Sequence, residues 1–161
     1  MPSFDVVSTI DLQEVDNAVN QVKKEITTRY DFKGAKSSIE YDKEKITILA
    51  DDNMKLKAIQ EILAQKLVKR GIGLRSLEYK EPEKASGDAL RQLVILKQGI
   101  STDDGRKIVK LIKDQKLKKV QGQIQQDQVR ISAPKKDDLQ KVISLLKAEI
   151  DLELQFVNFR D

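Results

Sequence analysis

The chain repeats itself, and the repeat limits what it can fold into. Val6, Ile10, Val19 and Val22 recur as Leu96, Ile100, Val109 and Ile112, 90 positions later. Ile46, Ile48 and Ala50 recur as Val129, Ile131 and Ala133, 83 positions later. At that second offset Leu56, Ile59, Ile62, Leu63 and Leu67 meet Leu139, Val142, Leu145, Leu146 and Ile150. Self-similarity of this kind means two copies of one supersecondary unit.

Periodicity gives the unit its content. The first copy reads as a strand near Phe4–Ser8, a helix near Asp11–Arg29, strands near Ala35–Tyr41 and Lys45–Ala50, a helix near Asn53–Arg70 and a strand near Leu74–Tyr79. Asp11 with Glu14 predicts a capping box at the first helix. The second copy reads as strand Gln92–Gln98, helix Thr102–Lys116, strands Lys119–Gln125 and Gln128–Ser132, helix Lys135–Ile150 and strand Leu152–Phe159. Lys80–Asp88, with Pro82, Ser86 and Gly87, reads as a linker between domains at 1–85 and 89–161. Each half is βαββαβ. Two amphipathic helices cover one face of an antiparallel sheet, which makes the fold α+β with two tandem ferredoxin-like domains.

The change of offset marks an insertion of 90 − 83 = 7 residues in the first copy, near Thr27 to Lys33. It holds Arg29, Tyr30, Asp31, Phe32 and Lys33, with Gly34 behind them. The sister half does without it, so the fold does not require it. Two readings fit. Cations and aromatics can take a phosphate and a base, with Gly34 permitting close approach. Alternatively the segment covers the end of the sheet and its aromatics plug the core.

Other features carry weaker signals. The basic run Arg106–Lys119, which includes Lys118, fits either a phosphate-binding face or a solvated helix. The pairs Asp51-Asp52, Asp103-Asp104 and Asp137-Asp138 stand at helix starts and read as caps rather than metal ligands. Gln128 and Arg130 should face away from the helices, beside Gln121, Gln123 and Gln125. That open face could meet base edges or phosphates, or simply water. The chain has no cysteine, histidine or tryptophan. This excludes disulfides, Cys/His zinc sites and triads built on histidine, so no catalytic residue, metal or cofactor is expected. The net charge of +4 is mild. No targeting signal or membrane span is evident, and cytoplasm is the default expectation.

Several segments, taken in order, carry a resemblance. They are Ser3-Phe4-Asp5, Arg29-Tyr30-Asp31-Phe32-Lys33-Gly34, Lys66 to Ile72, Lys97-Gln98-Gly99-Ile100, Lys107 to Asp114, Gln128-Val129-Arg130, Asp137 to Gln140 and Leu154 to Asp161. The chain closely resembles the bacterial YajQ family over its whole length. That resemblance implies two ferredoxin-like domains similar to RNA-binding folds, with the first strands exchanged between them. It implies a nucleotide-binding regulator with a guanine-type ligand such as cyclic-di-GMP and a transcription-factor partner. The alternative is a single-stranded RNA or tRNA binder. The nucleotide-contacting candidates are Arg29 to Gly34 with Lys97 and Arg130. Two places depart from the usual pattern. The turn Gln125-Gln126-Asp127 and the run Ser132 to Lys136 stand where glycine, or glycine and arginine, are common.

Overall fold

Three of the four α-helices described begin where a side chain takes the free N–H groups. Asp11 accepts from the backbone nitrogens of Gln13 and Glu14 and starts α1 (Leu12–Thr28). The reciprocal half of the expected capping box is absent, since Glu14 instead pairs with Arg70 at 3.1 Å. Asp52 caps α2 (Asn53–Lys69), and Ser101 caps α3 (Thr102–Asp114). The fourth helix, α4 (Lys136–Glu149), has no side-chain cap. The computed structural model describes residues 1–117 and 119–161.

The strands are β1 (Ser3–Val7), β2 (Ser38–Asp42), β3 (Lys45–Ala50), β4 (Leu77–Tyr79), β5 (Glu83–Lys84), β6 (Leu90–Leu96), β7 (Gln121–Gln125), β8 (Gln128–Ser132) and β9 (Gln155–Arg160). They form two antiparallel sheets, ordered β2-β3-β6-β4 with β5 on β6, and β7-β8-β1-β9. Each has the strand order of a ferredoxin-like unit, with one substitution. β6 opens the second repeat but sits in the first repeat's sheet, in register Ile46↔Val94 and Leu77↔Leu96. β1 opens the first repeat but pairs Phe4↔Ile131 and Val6↔Phe156. The first strands are exchanged.

Two compact units follow, Ile10–Lys97 and Met1–Thr9 with Gln98–Asp161. They differ from the contiguous segments 1–85 and 89–161, because a strand belongs with the sheet that satisfies its backbone. The expected linker is also not wholly irregular. Glu83 and Lys84 pair with Arg91 and Leu90.

In the unit Ile10–Lys97, α1 and α2 pack Val15, Val19, Val22, Ile59, Leu63 and Leu67 against Ile39, Ile46, Ile48 and Val94. In the other unit, α3 and α4 pack Ile108, Ile112, Val142 and Leu146 against Phe4, Val6, Val129 and Ile131. Period-two alternation therefore leaves each sheet one face without helices. The β7–β8 turn holds Gln126 at φ 54°, the left-handed conformation that glycine takes more readily. β9 carries a bulge, since Asp5 pairs with Val157 but Ser3 pairs with Arg160.

Candidate functional site

The insertion begins where α1 runs out. Thr27 and Thr28 turn their hydroxyls back onto the carbonyls of Lys23, Lys24 and Glu25. Arg29 then leaves the helix in an extended conformation. One tight turn, Tyr30–Phe32, follows, closed by Lys33 N–H donating to the Tyr30 carbonyl at 3.1 Å. Gly34 has φ +77°, and a Cβ there would meet nothing within 4 Å. Glycine is favoured at this position by backbone conformation, not by crowding. Beyond it Asp51 holds the chain. Its carboxylate accepts twice from Lys36 N–H at 3.0 Å and from the Ser37 hydroxyl at 2.6 Å. Those bonds keep the Asp51 carboxyl below the ordinary range.

The two aromatics of the turn part company. Residues two apart in a three-residue-per-turn helix point in different directions. Phe32 is 4% exposed and belongs to the core, so it cannot stack on a ligand. Tyr30 is 89% exposed. Arg29 is engaged by its neighbours. Its Nε and Nη2 donate to the two Asp31 carboxylate oxygens at 3.0 and 2.8 Å, and Glu25 lies 3.7 Å away. The guanidinium also stands 5.7 Å from the Phe32 ring. The shared bonds raise the Arg29 pKa and lower that of Asp31. Lys33 is exposed and makes no ion pair among the described residues. The segment plugs the core through Phe32, as one of the two readings has it, and leaves an exposed edge of Tyr30, Asp31 and Lys33.

Lys97 is not brought to that edge. Lys97 follows β6, whose Ile95 pairs with Lys45 at the start of β3, whereas the insertion is tied to Asp51 just past the end of β3. They lie at opposite ends of one sheet. Arg130 belongs to the other unit, on the helix-free face of β8. It is not free to bind, because its Nε donates to Asp5 at 2.9 Å, and Asn158 donates to the same carboxylate at 2.8 Å. Asp5 is 4% exposed, and these partners lower its pKa, with Arg130 the largest cause. Around them the face presents Gln121, Gln123, Gln125 and Gln128, as the alternation predicts.

The acidic pairs act less uniformly than expected. Asp52 is the one that caps. Asp51 clasps the insertion. Asp103 and Asp104 stand in the first turn of α3 beside Arg106 at 3.7 Å and Lys107 at 4.0 Å. Asp137 and Asp138 occupy the first turn of α4 without capping it, though both meet the positive end of its dipole. No three acidic residues are grouped to hold a metal among the described residues. In the basic run Lys110, Lys113, Lys116 and Lys119 are exposed, while Lys118 lies outside the described residues. No helix among the described residues is long and apolar enough to cross a membrane.

The fold and the site define a two-sheet α+β protein with exchanged strands and one exposed, mixed-charge aromatic turn. Residues 2–160 match the family model described as nucleotide-binding protein YajQ-like, and the chain belongs to that family. It is 57% identical over 162 residues to a protein of Geobacter metallireducens, covering 100% of both chains. It is 54% identical to one of Trichlorobacter lovleyi, again over 100% of both. A relative in Heliobacterium modesticaldum is 55% identical, over 98% of this chain and 96% of its own. All three are called nucleotide-binding protein.

Proposed function

We propose that this chain is a nucleotide-binding regulatory protein of the cytoplasm, that its ligand is of guanine type, with cyclic-di-GMP the leading candidate, and that it signals through a protein partner, a transcription factor. The exposure of Tyr30 carries the reading. A tyrosine 89% open to water on a segment the sister repeat lacks contributes little packing and offers a flat face to a base. Beside it Asp31 is acceptor-only. Guanine presents two donors on its pairing edge, N1–H and the amino group, and a carboxylate takes both. Adenine presents one donor and one acceptor there. Arg29 fixes the Asp31 carboxylate through one lone pair on each oxygen and leaves others available. Lys33 supplies a cation for phosphate. The family's name supports a nucleotide as the ligand.

Calorimetric titration of the full chain with GMP, AMP, CMP and cyclic-di-GMP, at two salt concentrations, tests this. Guanine ligands should bind best and saturate. Base–aromatic stacking is worth about 1–3 kcal/mol, so Tyr30→Ala should weaken binding roughly tenfold or more. Asp31→Asn should narrow the preference for guanine over adenine. Parental affinity in Tyr30→Ala, Asp31→Asn and Lys33→Ala alike would refute the site. Affinity that grows with oligonucleotide length and collapses with salt would favour the single-stranded RNA or tRNA reading instead. The proposal includes no turnover of the nucleotide, since histidine and cysteine are absent and Asp5 and Asp51 are committed to partners. Steady hydrolysis by pure protein, lost in one Asp→Asn variant, would overturn it.

A further inference from the structure

An edge strand offers a row of unpaired N–H and C=O groups to any other strand. The strand orders leave β7 and β9 at the edges of one sheet, and β2 and β4 at the edges of the other. Three of these edges are blunted. β2 is charged, with Glu40 and Asp42 exposed and Glu40 held by Lys23 at 3.1 Å. β4 is only three residues long. β9 is bent by its bulge, where Asn158 takes φ 56°, and it ends on Arg160. β7 has none of these devices. It reads Gln121-Gly122-Gln123-Ile124-Gln125, without charge or proline. Its register with β8 is unbroken from Gln121↔Ser132 to Gln125↔Gln128, and among the described residues it pairs with no other strand.

The hairpin determines which main-chain groups are open. Its loop is Gln126 and Asp127, and in a hairpin with a two-residue loop the flanking pair, here Gln125 and Gln128, exchanges both bonds. Alternation then turns the main-chain groups of Gln121, Gln123 and Gln125 toward β8, and those of Gly122 and Ile124 outward. The glutamine side chains stand on the helix-free face. Those of Gln121 and Gln123 make no hydrogen bond among the described residues. The strand is also close to its own complement. Turned about Gln123, Gln121 meets Gln125, Gly122 meets Ile124, and Gln123 meets itself. Just outside the strand, Lys119 falls opposite Asp127. Both are exposed, and neither makes an ion pair among the described residues.

We infer that β7 is a dimerisation edge, and that its partner is β7 of a second copy of this chain, antiparallel, with the two-fold axis at Gln123. Gly122 and Ile124 exchange main-chain bonds with Ile124 and Gly122 of the second copy. Glutamine amides pair across the seam on the helix-free face. Lys119 of each copy faces Asp127 of the other. A two-fold contact consumes both edges, so assembly stops at the dimer. One short strand per copy is a small interface, and association is correspondingly weak. Exposed Lys110 and Lys113 on α3, the helix whose Gly105 packs close on Ile124, add like charge on the other face. Association is therefore measured at about 0.15 M salt, where charges more than about 8 Å apart are largely screened.

The edge is separate from the Tyr30 turn, and its test uses no nucleotide. Sedimentation equilibrium of the full chain should show monomer and dimer in exchange. Gln123→Lys places like charges at the axis and should weaken the dimer roughly tenfold or more. Lys119→Glu should weaken it severalfold, and adding Asp127→Lys to that variant should restore it, a rescue that loss of a structural contact would not produce. The register is read by cross-linking, since the chain has no cysteine of its own. In a glutathione redox buffer the Gln123→Cys chain should form an intermolecular disulfide, because directly opposed residues of a non-hydrogen-bonded pair have Cα atoms about 4.5 Å apart. Gln121→Cys should not, because its counterpart lies opposite Gln125. Both positions are exposed, so melting temperatures should stay parental. A chain monomeric up to about 1 mM would overturn the proposal and leave the edge to a strand of another protein. A dimer unmoved by Gln123→Lys, or equal cross-linking of Gln121→Cys, would overturn it by placing the contact elsewhere.

Discussion

Replacing Phe32 by alanine removes a ring that is 4% exposed and packed into the core of the unit Ile10–Lys97. Truncating a buried phenylalanine costs about 3–5 kcal/mol, part transfer and part cavity. The site lies at the edge of the core, under a short turn that can partly collapse, so the lower end applies, about 3 kcal/mol. Loss of the Arg29 guanidinium over the ring, 5.7 Å from its centroid, adds to the same direction. For a urea slope of about 2 kcal/mol/M, the midpoint should fall by about 1.5 M. Tyr30→Ala is the matched control. At 89% exposed it should change stability by less than about 0.5 kcal/mol while weakening nucleotide. Equilibrium urea unfolding and calorimetry on both variants separate the roles. A Phe32→Ala protein within about 1 kcal/mol of the parent would mean that the ring is no plug.

Two further outcomes are expected. Asp5 and Asp51 titrate below the ordinary carboxylate range when folded, so they bind fewer protons than in the unfolded chain. Their contribution is complete above about pH 4 and is lost as pH falls through the folded values. Asp5→Asn should cost about 1–3 kcal/mol at neutral pH and flatten stability in that acid range, read from unfolding midpoints between pH 2 and 6; an unchanged slope would contradict the sign. Gln126→Gly should raise the unfolding free energy by up to about 1 kcal/mol, because the residue holds φ 54° in the β7–β8 turn; a loss of stability would show that its side chain matters more than its backbone.

Much of the architecture was legible because burial has a period. Val129 and Ile131 alternate with Gln128 and Arg130, and β3 and β8 fall where that alternation puts them. Strand exchange leaves no such trace. β1 and β6 have the same pattern, so either sheet could accept either strand, and only the resemblance implied the swap. The short pairing of Glu83 and Lys84 was hidden in a stretch whose composition reads as loop. At the insertion, the seven-residue excess located the segment, but composition could not sort its side chains. Tyr30 and Phe32 are alike in sequence, and a single tight turn makes one a surface group and the other core. Arg130 was read as outward, correctly, yet its partner Asp5 comes from 125 residues away, a distance no local pattern spans. The bulge at Asn158 has the same character. Leu152–Phe159 reads as an ordinary strand until an extra residue is seen to break its alternation.

Exchange of the first strands sets an order of events on the ribosome. Ile10–Lys97 is continuous in sequence, so its sheet can close as soon as β6 has emerged. β1 is made first and used last. Ser3 must wait for Ser132 and Arg160 before both its flanks are paired. Throughout that interval Phe4 and Val6, both wholly buried in the finished protein, ride on an unpaired strand. Such an edge is a template for other chains. A stalled or truncated product ending after Lys97 would therefore carry a complete unit and an orphan strand. Its natural fates are aggregation or capture by the C-terminal half of a neighbouring molecule.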